Sequence, residues 1–290
     1  MSTTRIVRQL VAGATLLAGA SAALAQPLSV EVYNPGESAI FPVTSTLISG
    51  ERDAILVDAQ FSTREAQQLV ERIQASGKNL TTIFISHGDP DFYFGLDTLT
   101  RAYPEAKVLA TAETVAYIEK SRAPKLAYWG PILKDSAPQR TLVPQVLQGD
   151  SLTLEGQSLQ LIGHDPKHTS LWIPSSKTVV GGVLTYANIH PWIADAQTVE
   201  ARQSWLKSLD QLEALQPTML IPGHYLGQPK LNLDDLRFTR DYLLTLEAEL
   251  PKAKDSQSLI AAMKAKYPTL LDASSLELSA KVLKGEMQWP

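Results

Sequence analysis

Thr82-Ile83-Phe84-Ile85 is a short, continuous apolar run that leads straight into Ser86-His87-Gly88-Asp89-Pro90-Asp91. A strand this uniformly apolar is buried on both faces, so it belongs inside a sheet covered above and below, as in α/β proteins. Upstream, residues 30–33 alternate, Pro35-Gly36 turns the chain, and residues 44–49 and 54–57 read as a hairpin around Gly50. Ser62 caps an amphipathic helix over residues 63–75 that Gly77 closes. Beyond the His-bearing loop the pattern predicts a helix over 95–102, a strand over 108–110 and a helix from Ala112 to about Ser121. Pro124, Pro131, Pro138 and Pro144 predict a long irregular loop over residues 124–144. Strands return at 151–154, 158–162, 170–173 and 178–180, then a helix over 199–215 and a strand over 219–221. From Leu231 onward the chain reads as helical, with helices over 234–250 and 256–266. Strands followed by helices, twice over, predict two α/β halves packed sheet against sheet with helices outside.

The first 25 residues fall outside this pattern. Arg5 and Arg8 precede an apolar stretch from Leu10 to Ala20, and Ala23-Leu24-Ala25 is a small-x-small cleavage signal. Residues 1–25 read as a secretory signal peptide, which makes the mature protein periplasmic or secreted in a bacterium. A membrane anchor is the competing reading, but the stretch is short and rich in Ala and Gly, so no stable membrane insertion is expected after cleavage. Loss of Arg5 and Arg8 leaves 24 basic against 30 acidic residues, with no basic tract to follow a phosphate backbone. Nucleic acid is thereby excluded as a partner, and a small-molecule substrate is expected; oligomeric state is left open. The chain has no cysteine, so any metal must be held by His and carboxylates.

Of the five histidines, His87, His164, His168, His190 and His224, four lie just past a strand or in a Gly/Pro-bearing turn. Loops at strand ends are where chemistry gathers in α/β proteins. In His87-x-Asp89-x-Asp91, alternate residues of an extended or turning loop point the same way, so one imidazole and two carboxylates face a common point. The plain alternative is an ordinary Asp-Pro turn.

Together with Leu56-Val57-Asp58, Lys167-His168-Thr169 and Ile221-Pro222-Gly223-His224, this loop resembles the metallo-β-lactamase fold superfamily over roughly residues 30–224. The resemblance implies a four-layer αβ/βα sandwich of two mixed β-sheets flanked by helices, spanning residues 26–230, with residues 231–290 a C-terminal helical extension packed on it. It matches His87 to the first His of the family's H-x-H-x-D-H loop, Asp89 to the second His, Asp91 to the Asp and Phe92 to the last His. Gly182 is matched to the metal-bridging Asp. A first metal position would then be lined by His87, Asp89 and His168, two nitrogens and one carboxylate, a set that holds catalytic zinc. The second position would keep only Asp91 and His224, since Phe92 and Gly182 offer no ligand atom, with His190 a candidate to repair it.

The resemblance therefore implies one Zn2+ per chain, with Fe or Mn as alternatives, and a hydrolase acting on an ester, lactone, amide or related carbonyl. Asp91 would be the general base and His224 a proton donor or oxyanion partner. Two other outcomes stay open: a mononuclear iron oxygenase, and a non-catalytic metal- or ligand-binding relic of the fold. A carboxylate, Asp165 or Asp58, is expected to orient a ligating imidazole.

Overall fold

The computed structural model describes residues 26–289, so the segment read as a signal peptide lies outside the described residues. Two sheets meet face to face. The first has six strands in sequence order: β1 (Ser29–Tyr33), β2 (Ser45–Ser49), β3 (Asp53–Val57), β4 (Asn79–Phe84), β5 (Lys107–Ala110) and β6 (Gln145–Val146). β1 to β3 pair antiparallel and β3 to β6 pair parallel, so the sheet is mixed. The second sheet contains β7 (Ser151–Leu154), β8 (Gln157–Ile162), β9 (Ser170–Ile173), β10 (Thr178–Val180) and, beyond the short β11 (Tyr186–Ala187), β12 (Met219–Leu220). Its order is β12-β10-β9-β8-β7, parallel only between β10 and β12. β11 pairs separately with β13 (His224–Tyr225).

The core follows from which face each apolar residue takes. Ile48, Ile55, Val57 and Phe84 of the first sheet pack against Leu159, Leu171, Ile173 and Val180 of the second, a dry layer between sheets. The outer face of the first sheet is covered by α1 (Thr63–Ser76), the short α2 (Pro90–Tyr93), α3 (Leu96–Ala102) and α4 (Ala112–Leu133). The outer face of the second carries α5 (Val199–Ala214), α6 (Leu233–Glu249), α7 (Ser256–Lys266) and α8 (Ala273–Leu283). The order helices, sheet, sheet, helices is the expected four-layer sandwich. The C-terminal helices share one apolar core with the second sheet, where Leu243, Leu259 and Leu276 join Val179 and Leu220. Among the described residues no helix is long and apolar enough to cross a membrane.

One local expectation is overturned. α4 does not stop near Ser121 but runs to Leu133, through Pro124 and Pro131. Each proline removes one backbone hydrogen bond and crowds the preceding turn, at a cost of about 3 kcal/mol in a helix interior. Packing offsets that cost: Leu126, Trp129 and Leu133, all beyond Pro124, lie against the first core. A single 3-10 turn follows at Lys134–Ser136, and irregular backbone runs from there to Pro144.

Candidate metal centre

β4 ends at Phe84, and Ile85 and Ser86 carry the chain, fully buried, to His87. The turn after β3 holds this loop from below. Asp58, with a left-handed φ of 64°, accepts hydrogen bonds from the Ser86 amide (2.8 Å) and the Ser86 hydroxyl (2.7 Å). Burial pushes the Asp58 carboxyl up to about 7, against the hydrogen bonds from Ser86 and the nearby His87, which lower it. Ala59 donates its amide to Phe92 O (2.7 Å) and Gly95 donates to Gln60 O (2.9 Å). The approach is so close at Gly95 that a Cβ there would lie 1.9 Å from Ala59 O. From the second sheet, His168 forms an isolated antiparallel bridge with His87, and Thr169 Oγ1 donates to Ser86 O (3.0 Å).

Three of the expected donors meet at one cavity, which His87, Asp89 and His168 line together. His87 Nδ1 donates to Lys167 O (3.0 Å), and its Nε2 lies 3.0 Å from Asp89 Oδ2. His168 Nδ1 is held by Asp165 Oδ2 at 2.9 Å, and the His168 ring stacks on His87 with centroids 5.0 Å apart. Of the two carboxylates expected to orient an imidazole, Asp165 does so; Asp58 fixes the loop backbone instead. The hydrogen bond to His168 holds the Asp165 carboxyl down at about 2. Burial opposes a charge on His87, yet Asp89 beside it carries the imidazole up to about 9.

A second pair lies across Phe92. Asp91 Oδ2 is 2.8 Å from His224 Nε2, and both side chains are about nine-tenths buried. His224 Nδ1 is buried without a partner, and the Tyr186 ring stacks on the imidazole at 5.2 Å. Phe92, 1% exposed, sets its ring edge-on to His87 (5.2 Å) and to His224 (5.4 Å). The two donor pairs are thus separated by a phenyl ring. His190 joins neither: it is buried with Nδ1 2.9 Å from the Tyr242 hydroxyl, in contact with α6. His164 lies exposed in the turn before His168.

The family motif puts a bridging position at Gly182, but the geometry there points elsewhere. Gly182 donates its amide to Ser86 Oγ (2.8 Å), and a Cβ on it would lie 2.5 Å from Thr169 O. The next residue, Val183, is the one lining both the His87 cavity and the Asp91 cavity. Sequence reasoning also missed Lys125, whose Nζ lies 3.3 Å from Asp89 Oδ1, and Asp195 and Trp192, which line both cavities. Burial works against the Lys125 ammonium, but Asp89 lifts its pKa above the ordinary value. No spacing pattern links Lys125, on α4, to Trp192 and Asp195, which share the segment between β11 and α5.

Two imidazoles and a carboxylate are donors of the kind that can hold a divalent ion. Both His87 and His168 have Nδ1 tied to an oxygen, the usual arrangement of a metal-ligating imidazole, which leaves Nε2 as the ligand atom. With Asp89 they fit one ion in donor chemistry. As they stand, the carboxylates are paired instead, and among the described residues no group of three or more His, Cys, Asp or Glu side chains is arranged to hold an ion. The Asp91 and His224 pair alone is too small a set for a second.

A family model described as metallo-beta-lactamase superfamily matches residues 39–224. A curated relative, the uncharacterized protein YobT of Bacillus subtilis (strain 168), is 24% identical over 146 residues; the match spans 50% of this chain and 62% of that one. Among solved structures, the metallo-beta-lactamase family protein TTHA1429 from Thermus thermophilus is similar at a TM-score of 0.61 and 19% identity, covering 88% of this chain and 92% of that one. A beta-lactamase domain protein from Burkholderia ambifaria is similar at 0.60 and 17%, covering 89% and 87%. The DIM-1 metallo-beta-lactamase is similar at 0.56 and 17%, covering 77% and 99%.

Proposed function

This chain belongs to the metallo-β-lactamase superfamily, and on that premise we propose that it is an exported, single-metal hydrolase of a small carbonyl substrate. The observation that carries this reading is the meeting of His87, Asp89 and His168 at one cavity, beside a second cavity that holds the Asp91 and His224 pair. Asp89, Val183, Trp192 and Asp195 line both, so the two are lobes of one cleft. His87, Asp89 and His168 would hold the ion, which when bound supplies Lewis acidity toward a carbonyl. Asp91 takes a proton as general base, and His224, hydrogen-bonded to it, holds the carboxylate in place and shares the charge. Trp129 and Trp192 in the walls keep water away from the acyl portion. Zinc, iron and manganese all suit two imidazoles and a carboxylate. The Arg5 to Ala25 pattern supports a periplasmic or secreted location.

The test is a metal count by mass spectrometry on the purified chain, with a panel of esters, lactones and a cephalosporin. About one ion per chain, lost in His87→Ala and His168→Ala, together with turnover of one ester or lactone, is the expected result. Less than about 0.1 ion per chain after growth with zinc and iron overturns it. A second reading, ligand binding without turnover, is favoured by the Lys125 ammonium already resting on Asp89. It requires that the purified chain bind small ligands and turn over nothing on the panel.

A further inference from the structure

The walls of the cleft carry a chemistry beyond the exclusion of water from the acyl portion. Rings of Trp129, Phe41, Trp192 and Trp289 run edge-to-face around it, with successive centroids 5.3, 6.0 and 5.3 Å apart. Asp195 stands at the mouth between the last two, accepting from Trp289 Nε1 (2.8 Å) and Trp192 Nε1. The lobe that these rings line also receives Asp89, Asp91 and Asp272, against the single ammonium of Lys125. We propose that this cleft binds an organic cation: a small molecule carrying an alkylated ammonium group with a hydrogen-bonding oxygen a few bonds away.

Aromatic faces attract a cation through their quadrupole, by about 0.5–2 kcal/mol per ring according to how far water is excluded. The cleft already makes one such contact, since Lys125 Nζ lies 5.7 Å from the Trp289 ring centroid. Among the described residues no cation lies over Trp129 or Trp192, and both side chains line the lobe. An anionic substrate meets the opposite field: Asp89, Asp91, Asp195 and Asp272 outnumber the two cations of the cleft, Lys125 and His87, and both of these are engaged by Asp89. The second pointer is Tyr186. Its side chain is part of the cleft wall and only 2% exposed, and its buried hydroxyl has the Trp192 backbone near it but makes no well-formed hydrogen bond. Burial first, and the nearby Asp91 and Asp195, hold the phenol firmly protonated. A buried hydroxyl left unpaired costs about 1–3 kcal/mol, and an oxygen on the ligand removes that penalty.

The inference takes the cleft of the proposed hydrolase as its site but requires no turnover. Tryptophan fluorescence and calorimetry on the chain, both chelator-treated and zinc-supplemented, would compare choline with 3,3-dimethyl-1-butanol, its neutral isostere, and 3,3-dimethylbutyrate, an anion of the same shape. Choline is expected to bind at least about tenfold tighter than the neutral alcohol, with the carboxylate weakest. Trp192→Leu and Asp195→Asn are each expected to bring choline to the level of the alcohol. Equal binding of choline and the alcohol, or tightest binding of the carboxylate, overturns the proposal. The three-ligand comparison on the unaltered chain decides even where a variant fails to fold. Absence of metal or turnover would sink the hydrolase and leave this result untouched.

Discussion

Lys125 Nζ sits 3.3 Å from Asp89 Oδ1, although 36 positions separate the two residues in the chain. The ammonium neutralises the carboxylate, and a divalent ion binding to Asp89 must do so beside a like charge. At an effective dielectric near 20, two such charges a few ångströms apart repel by several kcal/mol, and withdrawal of the flexible Lys125 side chain from the ion reduces this to about 1–2 kcal/mol. Lys125→Met is therefore expected to tighten zinc binding about tenfold, read by competition with a chromophoric chelator. An affinity that stays the same or weakens shows that Lys125 does not oppose the ion.

Phe92 and Val183 close the second position, one by its ring between His87 and His224, the other by lining both cavities. Phe92→His with Val183→Asp supplies two ligand atoms beside Asp91 and His224. The metal count is expected to rise from about one to about two per chain. Phe92→His with Gly182→Asp is the informative contrast. At position 182 a Cβ meets Thr169 O at 2.5 Å and φ is +84°, so this pair is expected to lower the melting temperature and add no metal. A second ion in the Gly182 variant would refute the placement.

Asp58 couples the loop to pH. Its folded carboxyl is raised to about 7 by burial, against an ordinary value near 3.9 in the unfolded chain. The folded state therefore holds the proton more tightly. The stabilisation is fully present below about pH 4 and is lost as pH rises through about 7, at up to about 1.4 kcal/mol per pH unit in between. Asp58→Asn has no such proton. Urea unfolding of both proteins in chelator is expected to show the stability difference between them changing steadily from pH 4 to 7. A difference independent of pH would mean that Asp58 is ionised throughout.

Most strands and their succession along the chain were legible because burial is written locally: Ile83 to Ile85 is apolar throughout, and β1 alternates. His87 and Asp89 were legible as candidates because they follow β4, and His168 because it stands in the turn just before β9; the three line one cavity. What escaped was set by tertiary packing. Pro124 and Pro131 signal a break, yet contacts of Leu126, Trp129 and Leu133 with the core hold α4 together, and that helix delivers Lys125. The one-residue choice between Gly182 and Val183 depends on which of two successive backbone positions turns its Cβ into the cleft, and adjacent glycines at 181 and 182, both with positive φ, erase the strand alternation that would have decided it. His190 looked available by position, but its ring is engaged by Tyr242, a residue 52 positions away.

That separation of the histidines gives a last expectation. Asp165 lies in the turn before β9 and holds His168 Nδ1 at 2.9 Å, so it fixes the direction of Nε2 without being a ligand itself. Asp165→Asn keeps the shape of the turn and weakens that restraint. Loss of such an orienting carboxylate lowers metal affinity about 10–100-fold, and since Asp165 and His168 are both about one-third exposed, the melting temperature of the chelator-treated protein is expected to change little. His190→Gln should do the reverse: zinc affinity unchanged, but stability reduced by about 1–3 kcal/mol through loss of the buried contact with Tyr242. If the two variants lose zinc affinity equally, the ion is not held at His168, and the pairing of Asp165 with that imidazole serves the turn alone.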